Sequence, residues 1–384
     1  MVTFFRCLRY IVGALNKVYR IGMKEAAPIF DWQRPIDLSK LFVLLCAGAG
    51  GGALALWLGL PLPFLMGGLL CTIGLTFLAN SRSIALPYPK PLRTFFVALI
   101  GSLIGSTVSP ELARAAPNVS ISLLAVAAYV GMAQCLGYFI FRTVGKYERV
   151  TALYAAMPGG LIEAVELGRK GGGDVFVLTL SHFLRVLFVV IIVPVLFWLV
   201  SGDVVGSAAG QGFERGVTGW QDLALIPAIA LVGITAGRML HLPAAHLIGP
   251  MVISATLHGT GLVSTIAPFW LLYVAQLFVG VALGAQLSGA VGSNYLTIIK
   301  TSLVSTSVML CLSAIFALVL VNVTPLDFPA LFLSLAPGGV SEMGLIALSL
   351  GISPVMVAAH HVFRIFLTVF IAAIASKNAA RVRG

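Results

Sequence analysis

The sequence predicts an all-α polytopic membrane protein, an inverted repeat of 5+5 transmembrane helices with two Pro-Gly-Gly broken segments. The first observation is composition: 59% of the 384 residues are hydrophobic and 10% are charged, whereas a soluble domain has about 25% charged residues. The second is that the apolar residues come in blocks of about 20, enough for an α-helix to cross a hydrocarbon layer of about 30 Å. The third is that the second half of the chain repeats the pattern of the first.

The apolar blocks form two sets of five, and the divisions between them predict the domain boundaries. The blocks span about residues 41–60, 62–79, 92–108, 119–141 and 175–200, then 223–240, 243–258, 269–287, 302–321 and 354–375. Between the fourth and fifth block of each set lies a shorter helical stretch with Pro-Gly-Gly, at 158–160 (the first break) and 337–339 (the second break). We therefore predict a basic N-terminal segment at 1–40, repeats at 41–200 and 220–376, a linker at 201–219 and a tail at 377–384.

The duplication is strongest at residues that are rare in membrane helices. A shift of 179 residues relates Pro158 to Pro337, Gly159 to Gly338, Gly160 to Gly339, Glu163 to Glu342, His182 to His361 and Arg185 to Arg364. Matching Glu, His and Arg is informative because ionisable groups are costly in lipid and the chain has only six His. His241, His246 and His258 have no counterparts in the first half and are expected in loops or at the interface.

The distribution of basic residues predicts the topology. With the N-terminus in the cytoplasm, the connections that fall inside carry Arg82, Lys90, Arg93, Arg142, Lys146, Arg149, Arg169, Lys170, Arg238 and Lys300. Both termini are then cytoplasmic and the linker 201–219 is external, as the positive-inside rule favours for a bacterial inner-membrane protein. An odd number of crossings per repeat makes the repeats inverted. Full crossing by the broken segments would instead move the linker inside, and this alternative stays open.

The two breaks are the first candidate for a functional site. Pro-Gly-Gly interrupts a helix and leaves backbone N–H and C=O groups that lipid cannot satisfy, so each break must be buried in protein or line a wet cavity. Broken helices of this kind form the midplane substrate site of inverted-repeat transporters. The alternative is a kink between packed helices. We predict a substrate or ion site at Pro158, Gly159, Gly160, Pro337, Gly338 and Gly339.

The ionisable residues near the breaks complete the candidate site. Glu163 and Glu342 follow the breaks, where the helix dipole stabilises a carboxylate, and His182–Arg185 and His361–Arg364 are three residues apart and thus on one helix face. Four unpaired charges in lipid would cost on the order of 10 kcal/mol. We therefore expect the two Glu to pair with the two Arg. A structural ion-pair lock is the alternative, although a lock does not need a His that titrates near neutral pH.

Other sequence patterns limit the chemistry that this protein can perform. The pairs Gly101/Gly105 and Gly280/Gly284 are G-x-x-x-G spacings and predict close helix contacts. No H-E-x-x-H, P-loop or dinucleotide fingerprint occurs, so no metal or other cofactor is expected. No folded basic motif for nucleic acid is visible. The expected partners are the lipid bilayer and a small-molecule or ion substrate, and a homodimer stays open.

The segments M-P-G-G-L-I-E and A-P-G-G-V-S-E, followed by H-F-L-R and H-V-F-R, resemble the AbrB-type duplicated membrane protein family over about residues 40–375. Members of that family are labelled transcriptional regulators or ammonia monooxygenases. A regulator in the ordinary sense needs a soluble nucleic-acid-binding domain, and an oxygenase needs clustered His and carboxylate ligands. Neither feature is visible in this sequence. The layout is also similar to cation-coupled secondary transporters with inverted five-helix repeats.

The first hypothesis is a secondary transporter, not an enzyme, that moves a small anionic solute with H⁺ or Na⁺. Arg185, Arg364 and the half-helix N-termini would bind the anion, while the two Glu and the histidines would carry or gate protons. An AbrB-family membrane regulator or sensor and an ammonia monooxygenase-like membrane subunit stay open as alternatives.

Overall fold

The described part of the chain is entirely helical. The computed structural model describes residues 37–108, 116–201, 220–240, 242, 244–263, 268–288 and 294–382, and these contain 14 α-helices and no strand. The helices are α1 (Leu38–Trp57), α2 (Pro63–Ser81), α3 (Lys90–Gly105), α4 (Ala116–Thr143), α5 (Arg149–Ala155), α6 (Leu161–Lys170), α7 (Val175–Ser201), α8 (Trp220–Met239), α9 (Ala245–Gly259), α10 (Phe269–Gly284), α11 (Tyr295–Val321), α12 (Phe328–Leu335), α13 (Val340–Ser349) and α14 (Pro354–Val382). A 3₁₀ turn, Ala285–Leu287, extends α10.

Six of the described helical spans are long and apolar enough to cross a membrane. They are Leu38–Trp57, Pro63–Ser81, Val119–Thr143, Val175–Val200, Trp270–Leu287 and Tyr295–Val321. Large apolar side chains on these helices point away from the protein, among them Phe42 (68% exposed), Leu124 (73%) and Leu318 (59%). Such surfaces are unfavourable in water but match hydrocarbon. The all-helical architecture thus fits the predicted polytopic membrane protein.

The helices follow one another in two series of the same order. In α1–α7 the lengths are 20, 19, 16, 28, 7, 10 and 27 residues, and in α8–α14 they are 20, 15, 16, 27, 8, 10 and 29. Every predicted apolar block coincides with a helix, and each predicted broken stretch is a pair of short helices around its Pro-Gly-Gly. The last helix continues to Val382, beyond the predicted repeat boundary at 376. Residues 1–36 and 202–219, which hold most of the predicted N-terminal segment and linker, lie outside the described residues.

The predicted G-x-x-x-G contacts are confirmed, and they join the two series. A Cβ atom on Gly280 of α10 would lie 2.5 Å from the carbonyl oxygen of Leu65 in α2, and one on Gly284 would lie 2.8 Å from that of Leu69. Small residues allow backbones to approach this closely. Because the residue numbers rise together along both helices, α2 and α10 run parallel.

The same contact is made a second time, with the roles of the two series exchanged. Gly101 and Gly105 of α3 face the carbonyl oxygens of Leu247 and Met251 in α9, and a Cβ atom on Gly105 would lie 2.6 Å from the Cβ atom of Ser254. The third helix of each series therefore packs on the second helix of the other. The buried apolar core draws on both series, for example Leu65, Leu103, Leu283 and Leu345.

The segment around the first break is a helical hairpin. The backbone N–H of Asp174, which follows α6, donates a hydrogen bond to Oγ1 of Thr151 at the start of α5, at 3.0 Å. A Cβ atom on Gly171 would likewise lie 2.9 Å from Cγ1 of Val150. The end of α6 thus returns to the level where α5 begins.

Candidate functional site

Each break separates a short helix from a second short helix. Met157, Pro158 and Gly159 are buried between α5 and α6, and Ala336, Pro337 and Gly338 are buried between α12 and α13. Gly160 has a φ of 62°, a left-handed conformation that glycine adopts without strain. Because a helix leaves its last carbonyl groups without intrahelical partners, the buried ends of α5 and α12 need donors from elsewhere.

The two arginines that are related by the shift of 179 residues supply those donors. Nη1 of Arg364 donates hydrogen bonds to the carbonyl oxygens of Leu335 (3.3 Å) and Ala336 (2.5 Å), and Nη2 donates one to Gly338 (2.7 Å). At the equivalent place in the first series, Nη1 of Arg185 donates to the carbonyl oxygen of Met157. A cation at a helix C-terminus is also favoured by the helix dipole. Both arginines are buried, at 7% and 2% exposure for Arg185 and Arg364.

The histidines lie on the same helix faces as the arginines but do not have equivalent contacts. Nε2 of His182 is 2.9 Å from the carbonyl oxygen of Tyr154, so His182 and Arg185 both bind the end of α5. Nδ1 of His361 is 2.9 Å from the carbonyl oxygen of Val357, one turn earlier in α14. Since a carbonyl oxygen only accepts, each of these ring nitrogens is a donor.

The predicted Glu–Arg ion pairs are wrong for the described residues. Neither Glu163 nor Glu342 forms an ion pair with Arg185 or Arg364 there. The physical reason is the position of each charge relative to the break. The arginines lie at the C-terminal end of the helix before the break, where carbonyl oxygens are free, whereas the carboxylates lie in the first turn of the next helix.

Each glutamate is the third residue of its helix and folds back over the break. Oε2 of Glu342 accepts a hydrogen bond from the Ser341 hydroxyl at 2.9 Å, and a Cβ atom on Gly339 would lie 3.0 Å from the carboxyl carbon of Glu342. A Cβ atom on Gly160 would lie 3.2 Å from Oε2 of Glu163. This is the position of the acidic residue in a capping box, where it faces the free N–H groups of the helix start. Glu342 is 3% exposed, while Glu163 is half-buried.

A cavity of about 180 Å³ lies beside the second break and is shared by both helix series. It is lined by Arg93, Val97, Leu161, Phe183, Val186, Ala244, His246, Leu247, Leu283, Gln286, Gly339, Val340, Ser341 and Glu342. Glu342, Phe183 and Leu247 of this lining are buried, whereas His246 and Gln286 are exposed. A carboxylate, a guanidinium and an imidazole thus border one small space with apolar walls.

Among the predicted site residues, Gly339 and Glu342 line this cavity, and Leu161 of the lining directly follows the first break. The remaining predicted residues do not: Pro158, Gly159, Gly160, Glu163, His182, Arg185, Pro337, Gly338, His361 and Arg364. The first break instead packs on α14, where a Cβ atom on Gly159 would lie 3.4 Å from Oγ1 of Thr368. Arg185 and Arg364 come close enough to each other and to the buried Tyr129 to interact electrostatically.

Most of the chain matches a known protein family. Residues 76–379 match the family model described as transition state regulatory protein AbrB. The chain belongs to the AbrB family. One relative, "Uncharacterized protein YhjN" of Bacillus subtilis (strain 168), is 23% identical over 351 residues, which cover 86% of this chain and 91% of the relative. Another, "Putative regulator AbrB" of Escherichia coli (strain K12), is 25% identical over 340 residues, covering 88% of this chain and 93% of the relative.

The region that matches the AbrB family contains both breaks and the whole lining of the cavity. Within the described part of this AbrB-family chain, no three His, Cys, Asp or Glu side chains are grouped so that they could hold a metal ion.

Sequence reasoning missed four polar residues of the cavity, Arg93, His246, Gln286 and Ser341, and one buried histidine. Arg93 and His246 were not identified because the positions 179 residues away hold Leu272 and Gly67, so a search for duplicated ionisable residues passes over them. The missed histidine, His360, is fully buried, with Nε2 2.7 Å from Oγ of Ser122 and Nδ1 2.8 Å from the carbonyl oxygen of Met356. The other two cavity residues, Gln286 and Ser341, give no signal in the sequence.

Proposed function

We propose that this AbrB-family protein is a secondary transporter of the inner membrane, which moves a small anionic solute together with H⁺ or Na⁺. The observation that supports this most directly is the cavity between the two helix series, bordered by the second break, by Glu342 and by Arg93. A broken helix beside a polar cavity at the repeat interface is the arrangement by which inverted-repeat transporters bind their substrates.

An inverted 5+5 repeat with both termini cytoplasmic is part of this proposal. The reciprocal contacts of α3 with α9 and of α10 with α2 have the form that a two-fold axis produces. The parallel packing of α2 and α10 favours a segment α5–α6 that enters and leaves the membrane on the same side. If this segment crossed the membrane, α10 would run antiparallel to α2. The meeting of Thr151 with Asp174 supports the same topology.

The proposed two-fold relation implies a second site, related to the cavity. The shift of 179 residues relates Leu283, Gly339 and Val97 of the cavity to Ile104, Gly160 and Gln276. Ile104 and Gln276 are fully buried, and a Cβ atom on Gly344 would lie 2.5 Å from Cδ1 of Ile104. In this proposal the second site is closed at Ile104 and Gln276, while the cavity at the second break is open. An exchange of these two packings would move access from one membrane face to the other.

The size and charge of the cavity limit the solute. At about 180 Å³, it is smaller than the roughly 300–1,000 Å³ pockets that hold drug-sized ligands. Arg93 gives the cavity one cationic side chain, which favours the approach of an anion. The apolar walls, with Val97 and Leu247, suit a solute that has an apolar body.

A membrane-embedded regulator or sensor is the second candidate, and the name of the Escherichia coli relative favours it. Such a protein would bind a ligand in the same cavity without moving it across the bilayer. A monooxygenase-like subunit is a further alternative, which metal analysis of the purified protein would reveal.

The test is a thermal-shift ligand screen on the detergent-purified protein, followed by flux measurements in liposomes for every ligand that stabilises it. We expect uphill accumulation that requires a proton or sodium gradient and disappears when an ionophore dissipates that gradient. Liposomes without protein are the control. Binding without any gradient-dependent flux would contradict transport and support the sensor.

A further inference from the structure

We propose that Arg93 binds the anionic group of the solute and that Glu342 takes up a proton when the anion enters, so that one proton accompanies each monovalent anion. The joint transport of the anion and the proton rests on the proposed function, whereas their joint binding in the cavity does not. The inference deepens the proposal in two ways. It identifies the residue that recognises the solute and it selects H⁺ rather than Na⁺ as the coupling ion.

The arrangement of charges along the cavity carries the first half of the proposal. Among the polar residues of the lining, His246 and Gln286 are exposed, Arg93 is half-buried and Glu342 is buried. A guanidinium offers several donors in a fixed planar fork, which suits a carboxylate. It is also the one permanently cationic side chain of the lining. An anion that enters this space is therefore expected to bind Arg93.

The second half follows from the position of Glu342 in the same small space. An anion held by Arg93 in a cavity of about 180 Å³ would share that small space with the Glu342 carboxylate. Like charges at this proximity disfavour each other's ionised forms. Protonation of Glu342 removes the repulsion and turns its carboxyl group into a hydrogen-bond donor, so binding of the anion and of the proton reinforce each other.

A sodium ion would serve less well than a proton. Hard cations are held by several oxygen ligands, and besides the Glu342 carboxylate the lining offers the Ser341 hydroxyl and the Gln286 amide as side-chain oxygens. Arg93 borders the same space, and its positive charge would repel a metal cation. A proton needs no such ligand shell.

Other ionisable groups near Glu342 have contacts of their own. On α14, packed against α13, Arg364 donates its hydrogen bonds to carbonyl groups of the second break, and His361 donates to its own helix. On α7, His182 and Arg185 bind the end of α5, while Phe183 and Val186 line the cavity. The α12 segment Phe328–Leu335 has no titratable side chain. The remaining titratable group of the lining is His246, which the experiment must separate from Glu342.

The experiment measures the binding of acetate, butyrate and lactate to the full-length purified protein by titration calorimetry from pH 5 to pH 9. In two buffers of different ionisation enthalpy, the same titrations count protons. We expect at least one probe to bind with proton uptake and to lose affinity about tenfold per pH unit on the alkaline side. In E342Q the affinity should become independent of pH, and in R93Q binding should be lost at every pH. The matched control E166Q, on the exposed face of α6, should keep the wild-type slope.

Several outcomes would overturn the proposal. They are no binding of any of the three probes, binding without proton uptake, an unchanged pH slope in E342Q, unchanged affinity in R93Q, or loss of the slope in H246Q. Because proton uptake is measured on the wild-type protein, the test remains decisive if E342Q does not fold. Sodium-driven flux without proton uptake would refute this inference and leave the transporter intact. Proton-coupled binding without flux would refute the transporter and leave the site intact.

Discussion

Arg364 is expected to stabilise the second break through its hydrogen bonds to carbonyl groups rather than through a carboxylate. The perturbation that tests this is Arg364→Gln, which removes the charge and the planar set of donors. In the folded protein this change leaves the carbonyl oxygens of Leu335, Ala336 and Gly338 without their donors at a buried helix end. Gln is shorter and can replace one of these bonds at best.

The magnitude follows from the number and length of the bonds. Two of them, at 2.5 and 2.7 Å, are short, while the third, at 3.3 Å, is long. A hydrogen bond from a charged donor contributes about 1.5–3 kcal/mol, so two contribute roughly 3–6 kcal/mol. Arg364→Gln also removes the repulsion between Arg364 and the nearby Arg185, which offsets part of the lost hydrogen-bond energy. The expected loss of unfolding free energy therefore lies in the lower half of the range for two bonds. Arg185→Gln, with one bonded carbonyl group, should cost about 1.5–3 kcal/mol.

The assay is the free energy of unfolding in mixed detergent micelles, followed by far-UV circular dichroism. Arg149→Gln, at an exposed arginine, is the matched control and should stay within about 0.5 kcal/mol of wild type. A double-mutant cycle with Glu342→Gln measures the coupling of Arg364 to the carboxylate, which we expect to be below about 1 kcal/mol because the two groups form no ion pair.

Two results would refute this reasoning. One is a cost of Arg364→Gln that is no larger than that of the exposed Arg149 control. The other is a coupling energy to Glu342 above about 2 kcal/mol, the size expected for contacting groups, which would mean that the predicted ion pair forms after all.

The other predictions concern the helix contacts, the topology and the break. Gly280→Ala should destabilise the protein by about 1–3 kcal/mol, because its Cβ atom would lie 2.5 Å from the Leu65 carbonyl oxygen, whereas Gly74→Ala, with no atom within 4 Å, should be neutral or stabilising in the same unfolding assay. Cysteines introduced at 205–213 should react with a membrane-impermeant reagent in intact cells, and protection of that loop would contradict the external linker. Gly338→Leu, whose Cβ atom would lie 2.7 Å from Cγ of Met343, should reduce solute flux more than the yield of folded protein, while equal losses would make the break purely structural.

Several features of this protein were determined by local sequence alone. Apolar blocks of helical length predict where each helix lies, since a helix in lipid satisfies its own backbone groups. Pro158 and Pro337 end helices because proline cannot continue them, and a glutamate at the third position of the next helix is a local capping arrangement. The small residues of G-x-x-x-G predicted that backbones would meet, although not which ones.

Tertiary structure decided which partner each charge has. The sequence predicts that Arg185 and Arg364 need acceptors, but carboxylates and free carbonyl groups are equally plausible acceptors until the chain is folded. The fold brings the ends of α5 and α12 against the arginines. Arg93 and His246 are far apart in sequence and absent from the repeat pattern, so only the crossing of α3 with α9 brings them to one cavity with Glu342. Periodicity and spacing describe one helix at a time, whereas a cavity is defined by the contacts among several.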